Sequence, residues 1–389
     1  MGSTNHILRK DFLLDPEIIY LNHGSFGATP RPVFESYQRW QRELECQPTE
    51  FLGRRSGKLL EQSRQELASY LGTSAPNLAF VTNATTALNV VIRSLSLTVD
   101  DEVLATNHEY GALDRAWRFS GKKQGYKYIN YPVSLPVTTP DDFVDRFWEG
   151  VTPRTRVIFI SHITSPTALI LPVREICQRA REQGIITVID GAHAPGQIPL
   201  QLDELSADFY AGNLHKWLCA PKGAAFLFAR PEVMELIEPL VVSWGYQSEN
   251  PGPSPLVDYI EMQGTRDISA FLAVPDAIRY QEKNNWIEVR ASCHELLKQT
   301  VQEIAELSGK PPISPLTSTW FSQMASAPLP DNLNLAELHQ KLYDSYRIEI
   351  PVLNWNGHNL IRCSFQAYNT PEDAHTLSNA LRCLLLHKI

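Results

Sequence analysis

Between residues 78 and 229 the chain switches repeatedly between two hydrophobic periods. Short runs that are apolar almost throughout ("NLAFVTN", "DEVLATN", "YKYINYPV", "TRVIFISHI", "IITVIDGAH", "ADFYAG", "GAAFLFA") read as seven strands. "ATTALNVVIRSLSL", "YGALDRAWRFSGKKQG", "PDDFVDRFWEGV" and "PVREICQRAREQG" lie between the earlier ones and repeat at helical spacing. A strand that is apolar on both sides must be covered on both faces. The alternation therefore predicts an α/β domain with a mostly parallel seven-stranded sheet flanked by helices. After about residue 230 the pattern changes. "SWGYQSENPGPSPLVDYIEMQGTRD" reads as a long loop or junction. "ISAFLAVPDAIRYQEKN" and "WIEVRASCHELLKQTVQEIAEL" read as helices. "TSTWFSQMAS", "YRIEIPVLNW" and "NLIRCSFQAY" read as strands of a smaller α+β domain, closed by a helix capped at Thr370.

Few function classes survive the composition. The 35 Lys+Arg against 43 Asp+Glu give a net charge of −8, which argues against a nucleic-acid partner. No apolar run approaches the ~20 residues of a membrane span, and the N-terminus lacks a signal-peptide core. The six cysteines are scattered without metal-ligand spacing, which suggests reduced thiols and a cytoplasmic location.

Ligands of an open parallel sheet bind beyond the carboxyl ends of its strands, so chemistry is sought there. Lys216, in "GNLHKW", sits just past the sixth run, where burial would lower its pKa and make it a nucleophile. Asp190 ends the fifth run, with His193 three residues on. "TNATTALN" opens a helix near Ala84, where backbone N–H groups and the hydroxyls of Thr85 and Thr86 can cradle an anion. His108 and Tyr110 follow the second run, and Ser165 follows the fourth. A lysine, an acid, an anion cradle and an imidazole or aromatic platform are what pyridoxal 5′-phosphate requires.

The order "TNATTALN … NHEYGA … SHITSPTA … DGAHAPGQ … GNLHKW … GTRD … RCSFQAYNT" resembles the class V aminotransferase family of PLP fold type I. "IIYLNHGSFGATPRPV" and "QPTEFLGRR" are similar to its isopenicillin N epimerase-like branch. The resemblance implies an N-terminal arm over residues 1–17 packing with the small domain, a large domain over 18–260 and a small domain over 261–389. It implies Lys216 as the cofactor-bonding lysine, Asp190 on the pyridine N–H, and His193 and Ser165 near the phenolic oxygen. Ala84, Thr85 and His215 would hold the phosphate. His108 would stack on the ring face opposite Lys216, with Tyr110 as the alternative platform. Thr265 would reach the phosphate of a neighbouring subunit, which implies a homodimer with shared sites. Arg362 would clamp the carboxylate of an amino-acid substrate, with Asn22 and His23 as wall residues. Arg54 and Arg55 either touch the substrate or form a solvated pair. The implied reaction is epimerisation at Cα, with C–S β-elimination as the alternative. Cysteine desulfurases of this class carry a persulfide-forming cysteine in the loop before the carboxylate arginine; here Trp355 and Asn356 occupy that loop, and Cys363 follows Arg362.

Overall fold

The computed structural model describes residues 8–386. After a short strand β1 (Ile19–Tyr20), the seven apolar runs form β2 (Leu78–Val81), β3 (Glu102–Thr106), β4 (Lys127–Tyr131), β5 (Thr155–Ser161), β6 (Ile186–Asp190), β7 (Phe209–Asn213) and β8 (Ala225–Ala229). They make one sheet in the order β2–β8–β7–β6–β5–β3–β4. β8 runs antiparallel to both its neighbours, and the other pairings are parallel.

Both faces of the sheet are covered, and β5 shows why its sequence is apolar throughout. Val157 and Phe159 enter a core with the helices Ala84–Ser94 and Gly111–Gln124. Ile158 and Ile160 enter the core on the other side, with the helices Pro140–Trp148 and Val173–Glu182. All four side chains are fully buried. At about 1.5–3 kcal/mol each, their burial exceeds the ~1 kcal/mol spread of strand propensity, so two-sided packing makes this segment a strand.

The second unit holds β9 (Met324–Pro328), β10 (Ile348–Glu349), β11 (Val352–Trp355) and β12 (His358–Ser364). β11, β12 and β9 form an antiparallel sheet against the helix Trp286–Ser308. The closing helix Pro371–Leu386 begins as expected: Thr370 Oγ accepts from the Asp373 N–H, and Asp373 accepts from the Thr370 N–H. β1 pairs with β10, and Arg9 forms a 3.2 Å ion pair with Asp373, so the N-terminal segment lies along this unit. Residues 1–7 of the expected arm lie outside the described residues.

Four segments differ from their sequence reading. The Pro/Gly-rich junction contains a helix, Pro255–Glu261, whose Ser254 side chain accepts from the Val257 N–H. Proline at its first turn and serine before it are good start signals, masked by the surrounding turn residues. Residues 269–283 form two helices, split where Pro275 opens the second. Both pack on the N-terminal helices Arg31–Cys46 and Ser56–Leu71, although they lie beyond the 260/261 boundary. "YRIEIPVLNW" divides into β10 and β11, which pair in different sheets. In "TSTWFSQMAS" the strand begins only at Met324.

Candidate active site

A cavity of about 500 Å³ opens at the carboxyl ends of the parallel strands. Lys216 lies in the turn after β7, and its Nζ is 3.1 Å from His193 Nε2. Desolvation pushes this amine down to about 7; the Arg362 charge pushes the same way, and Asp190 opposes both. Gly27 makes room for the turn. Its φ is +69°, and a Cβ there would lie 2.0 Å from His215 O and 2.9 Å from Lys216 Cα. Only glycine satisfies both the conformation and the contact.

Asp190 ends β6 and is 4% exposed. Its Oδ1 accepts the Ala192 N–H at 2.9 Å. Burial raises its pKa, with the Ala192 N–H and Lys216 opposing. Arg362 reaches the same cavity from β12 of the second unit. It donates from Nη1 to Ser165 O at 2.7 Å and from Nη2 to Ser25 Oγ at 3.0 Å. Both acceptors are neutral, and Nε has no partner. Burial pulls this guanidinium down to about 10. A buried cation without a carboxylate is ready to receive one.

The helix Ala84–Ser94 starts at the cavity wall. The Ala84 N–H is taken by Asn213 Oδ1 at 2.9 Å, and the Thr86 N–H by Asn83 Oδ1 at 2.8 Å. This leaves the Thr85 N–H, with the Thr85 hydroxyl, as the free donors of the first turn. Ala84, expected to donate its N–H to a phosphate, has already spent it on Asn213. His215 Nδ1 is 3.1 Å from Ala224 O, and burial pushes the ring down to about 4. A nucleophilic amine, a buried acid, a helix N-terminus with a free N–H and a buried guanidinium suit a phosphorylated pyridine aldehyde and an amino-acid carboxylate.

The other expected residues are divided between the cavity and its surroundings. His108 is buried away from the cavity lining. Its Nδ1 pairs with Thr167 Oγ1 at 2.8 Å, its Nε2 with Val133 O at 3.0 Å, and the Trp355 ring packs on it at 4.2 Å. Tyr110, the alternative, is half exposed and lines the cavity. His23 is not a wall residue; it is buried behind Lys216, with Nε2 3.0 Å from Lys216 O and Nδ1 2.9 Å from the Tyr368 hydroxyl. Asn22 also stands behind the lining, accepting from Ser25 Oγ and donating to Glu349 at 2.9 Å. Ser165 lines the cavity and holds Arg362. His193 is buried beside Lys216. Thr265 is exposed on a different cavity of about 720 Å³, alongside the buried Arg64–Glu261 pair. Arg54 and Arg55 form ion pairs with Glu50 and Glu43 at 2.8 and 2.6 Å.

Sequence reasoning missed Asn213, Ser25 and Glu109. Each is an ordinary polar residue until the fold brings its partner near. Glu109 is buried and held up to about 8 by desolvation, accepting from Ser161 Oγ and Thr106 Oγ1 at 2.6 Å. Ser161 in turn lines the cavity.

Comparison with known proteins agrees with this geometry. The family model described as Aminotransferase class-V matches residues 19–377. A protein of Amycolatopsis lactamdurans named isopenicillin N epimerase is 37% identical, over 96% of this chain and 97% of its own. An Arabidopsis thaliana protein named probable L-cysteine desulfhydrase, chloroplastic, is 27% identical over 95% of this chain and 84% of its own. Among solved structures, the apo cysteine desulfurase of Thermococcus onnurineus NA1 superposes with a TM-score of 0.84 over 98% of both chains, at 22% identity, and so shares the fold. A match of this extent, to a chain whose lysine, acid and guanidinium meet in one cavity, means that the protein belongs to the class V aminotransferase family.

Proposed function

We propose that the protein is a pyridoxal 5′-phosphate enzyme acting at the α-carbon of an amino acid, and that its reaction is epimerisation. The observation that carries this is the convergence of Lys216, Asp190 and Arg362, from three different elements, on one cavity. The bound cofactor supplies an electron sink for the pair left at Cα when its proton departs. Lys216 would hold the cofactor through Nζ, and the same amine would be the base for the Cα proton. Asp190 keeps a proton on the pyridine nitrogen. Arg362 binds the substrate carboxylate through its fork, held in place by Ser165 and Ser25. The Thr85 N–H and hydroxyl hold the phosphate, His215 borders it, and His193 stands beside the phenolic oxygen. Tyr110, rather than His108, covers the ring, because its side chain lines the cavity. The 37% identical relative named as an epimerase supports this reading.

A second reading, C–S β-elimination, draws on the relative named as a desulfhydrase. The turn between β11 and β12 favours direct release of sulfide over sulfur transfer. It is a two-residue hairpin, Asn356–Gly357, with φ of 45° and 83°, and it carries no cysteine. Cys363 is buried within β12, where desolvation pushes its thiol up to about 12. Incubating the holoenzyme with a panel of amino acids, with chiral analysis beside assays for pyruvate, ammonia and sulfide, tests both. Inversion without keto-acid release supports epimerisation. Equimolar pyruvate and ammonia, with no inversion, overturns it in favour of elimination.

The functional unit in this reading is a cytoplasmic homodimer with shared sites. Thr265 then serves the partner's phosphate, since it stands outside the cavity of its own Lys216. The nearby Val242 and Trp244, 69% and 86% exposed, supply apolar surface for a second copy to cover. Free thiols at Cys46, Cys177, Cys219, Cys363 and Cys383 suit a reducing compartment.

A further inference from the structure

We infer that Trp217 fixes the position of the proton on His193 and thereby holds Lys216 as a free amine. Trp217 is thus a positioning residue for the lysine beside it, an inference that rests on the reading of Lys216 as the cofactor-bonding group. Trp217 Nε1 lies 3.3 Å from His193 Nδ1, and His193 Nε2 lies 3.1 Å from Lys216 Nζ. An indole N–H only donates. His193 Nδ1 must therefore be the acceptor, and the proton of the neutral ring sits on Nε2. An N–H at Nε2 needs a lone pair opposite it, and Nζ offers one only as the uncharged amine.

The reverse arrangement is internally opposed. An ammonium at Lys216 would donate to Nε2, which moves the ring proton to Nδ1. Two N–H groups would then face each other between buried rings, each left without its partner. A doubly protonated ring fares no better. His193 is buried, and desolvation, with the Arg362 charge adding to it, holds the ring well below the ordinary histidine range.

The surroundings keep the three groups in register. Trp217 is fully buried, its carbonyl accepts from Gln281 Nε2 at 2.8 Å, and its ring packs 4.9 Å from that of His23. Gly196 lets the segment after His193 approach: its φ is +88°, and a Cβ would lie 2.4 Å from the Trp217 carbonyl group. Arg362 also disfavours charge on Lys216, while Asp190 favours it. His215, His23 and Lys222 complete the titratable neighbours. Trp217 adds a directional effect that these charges lack.

The test uses the full-length protein stripped of cofactor. Nitrogen-15 spectra of its histidines, with His193 assigned by difference from His193→Gln, should show the proton on Nε2. A proton on Nδ1 overturns the inference, whatever any variant does. Pyridoxal phosphate is then added back, and the pH dependence of the rate at which the visible band appears is measured for wild type and Trp217→Phe. The variant lacks the N–H and frees the reverse tautomer. Its midpoint should rise by roughly half to one unit, a three- to tenfold slower attachment below it, for the loss of about one hydrogen bond. An unchanged midpoint in a variant that still forms the band refutes the role. A wild type that forms no band at all refutes instead the reading of Lys216, and the proton on His193 is still read without cofactor.

Discussion

Replacing Arg362 by methionine should separate substrate affinity from stability. The guanidinium is 6% exposed, and its hydrogen bonds end on neutral oxygens. Its pKa is pulled from 12.5 to about 10, mainly by desolvation. A cation depressed in the folded state costs stability in full below the folded value, and the cost fades as pH rises toward the unfolded one. At neutral pH this amounts to roughly 3 kcal/mol, at about 1.4 kcal/mol per unit. Against it, methionine leaves Ser165 O without its donor, a loss of about 1–3 kcal/mol. The two nearly cancel, so Arg362→Met should unfold within about 2 kcal/mol of wild type, whereas an arginine whose ion pair holds the fold would lose roughly 3–5 kcal/mol. Binding should respond differently. A substrate carboxylate left without its buried partner loses a comparable 3–5 kcal/mol, a factor of roughly 10² to several 10³. The assay is a spectral titration of the holoenzyme with an amino acid and with its carboxamide, beside urea unfolding. Wild type should prefer the carboxylate by that factor, and the variant should bind both equally weakly. Retained preference for the carboxylate, or a large drop in stability, refutes the assignment.

Lys216→Ala should lose the visible band that wild-type holoenzyme shows and that borohydride removes; a band that persists places the covalent bond elsewhere. Without cofactor, Lys216→Met should be more stable than wild type at pH 6 and converge with it as pH rises toward 10, because the lowered lysine pKa penalises the folded state most below about 7. Denaturant midpoints across pH check this, and a constant gap contradicts it. Asp190→Asn should retain cofactor yet lose activity by well over tenfold, about 1.4 kcal/mol, and turnover above that level denies Asp190 its part in the electron sink. Gly27→Ala should weaken cofactor retention by displacing the Lys216 turn, read by dialysis and absorbance; unchanged retention would show that the turn tolerates the clash. Mixing Lys216→Ala with Thr265→Val subunits should restore activity in heterodimers that have one intact site, and heterodimers as inactive as the parents would exclude a cross-subunit role.

The alternation of apolar runs was enough to read the seven-stranded sheet, because a two-sided core leaves its mark in every residue of a strand. The same reading reached Lys216 and Asp190, since strand ends are where such a sheet presents chemistry. Arg362 needed the family likeness, for nothing local marks a strand arginine as a ligand. What the sequence left open was settled by contacts between distant segments. His108 and Tyr110 are two residues apart, yet Trp355 from β11 packs on the imidazole while the phenol lines the cavity. Asn213 Oδ1 takes the Ala84 N–H, which the sequence leaves open. His23, expected as a wall residue, is drawn under Lys216 by that residue's carbonyl and by Tyr368. Periodicity reports which face of an element is buried, a property each segment carries by itself. Which polar atoms meet is a property of pairs, and the pairs exist only once distant segments have folded against each other.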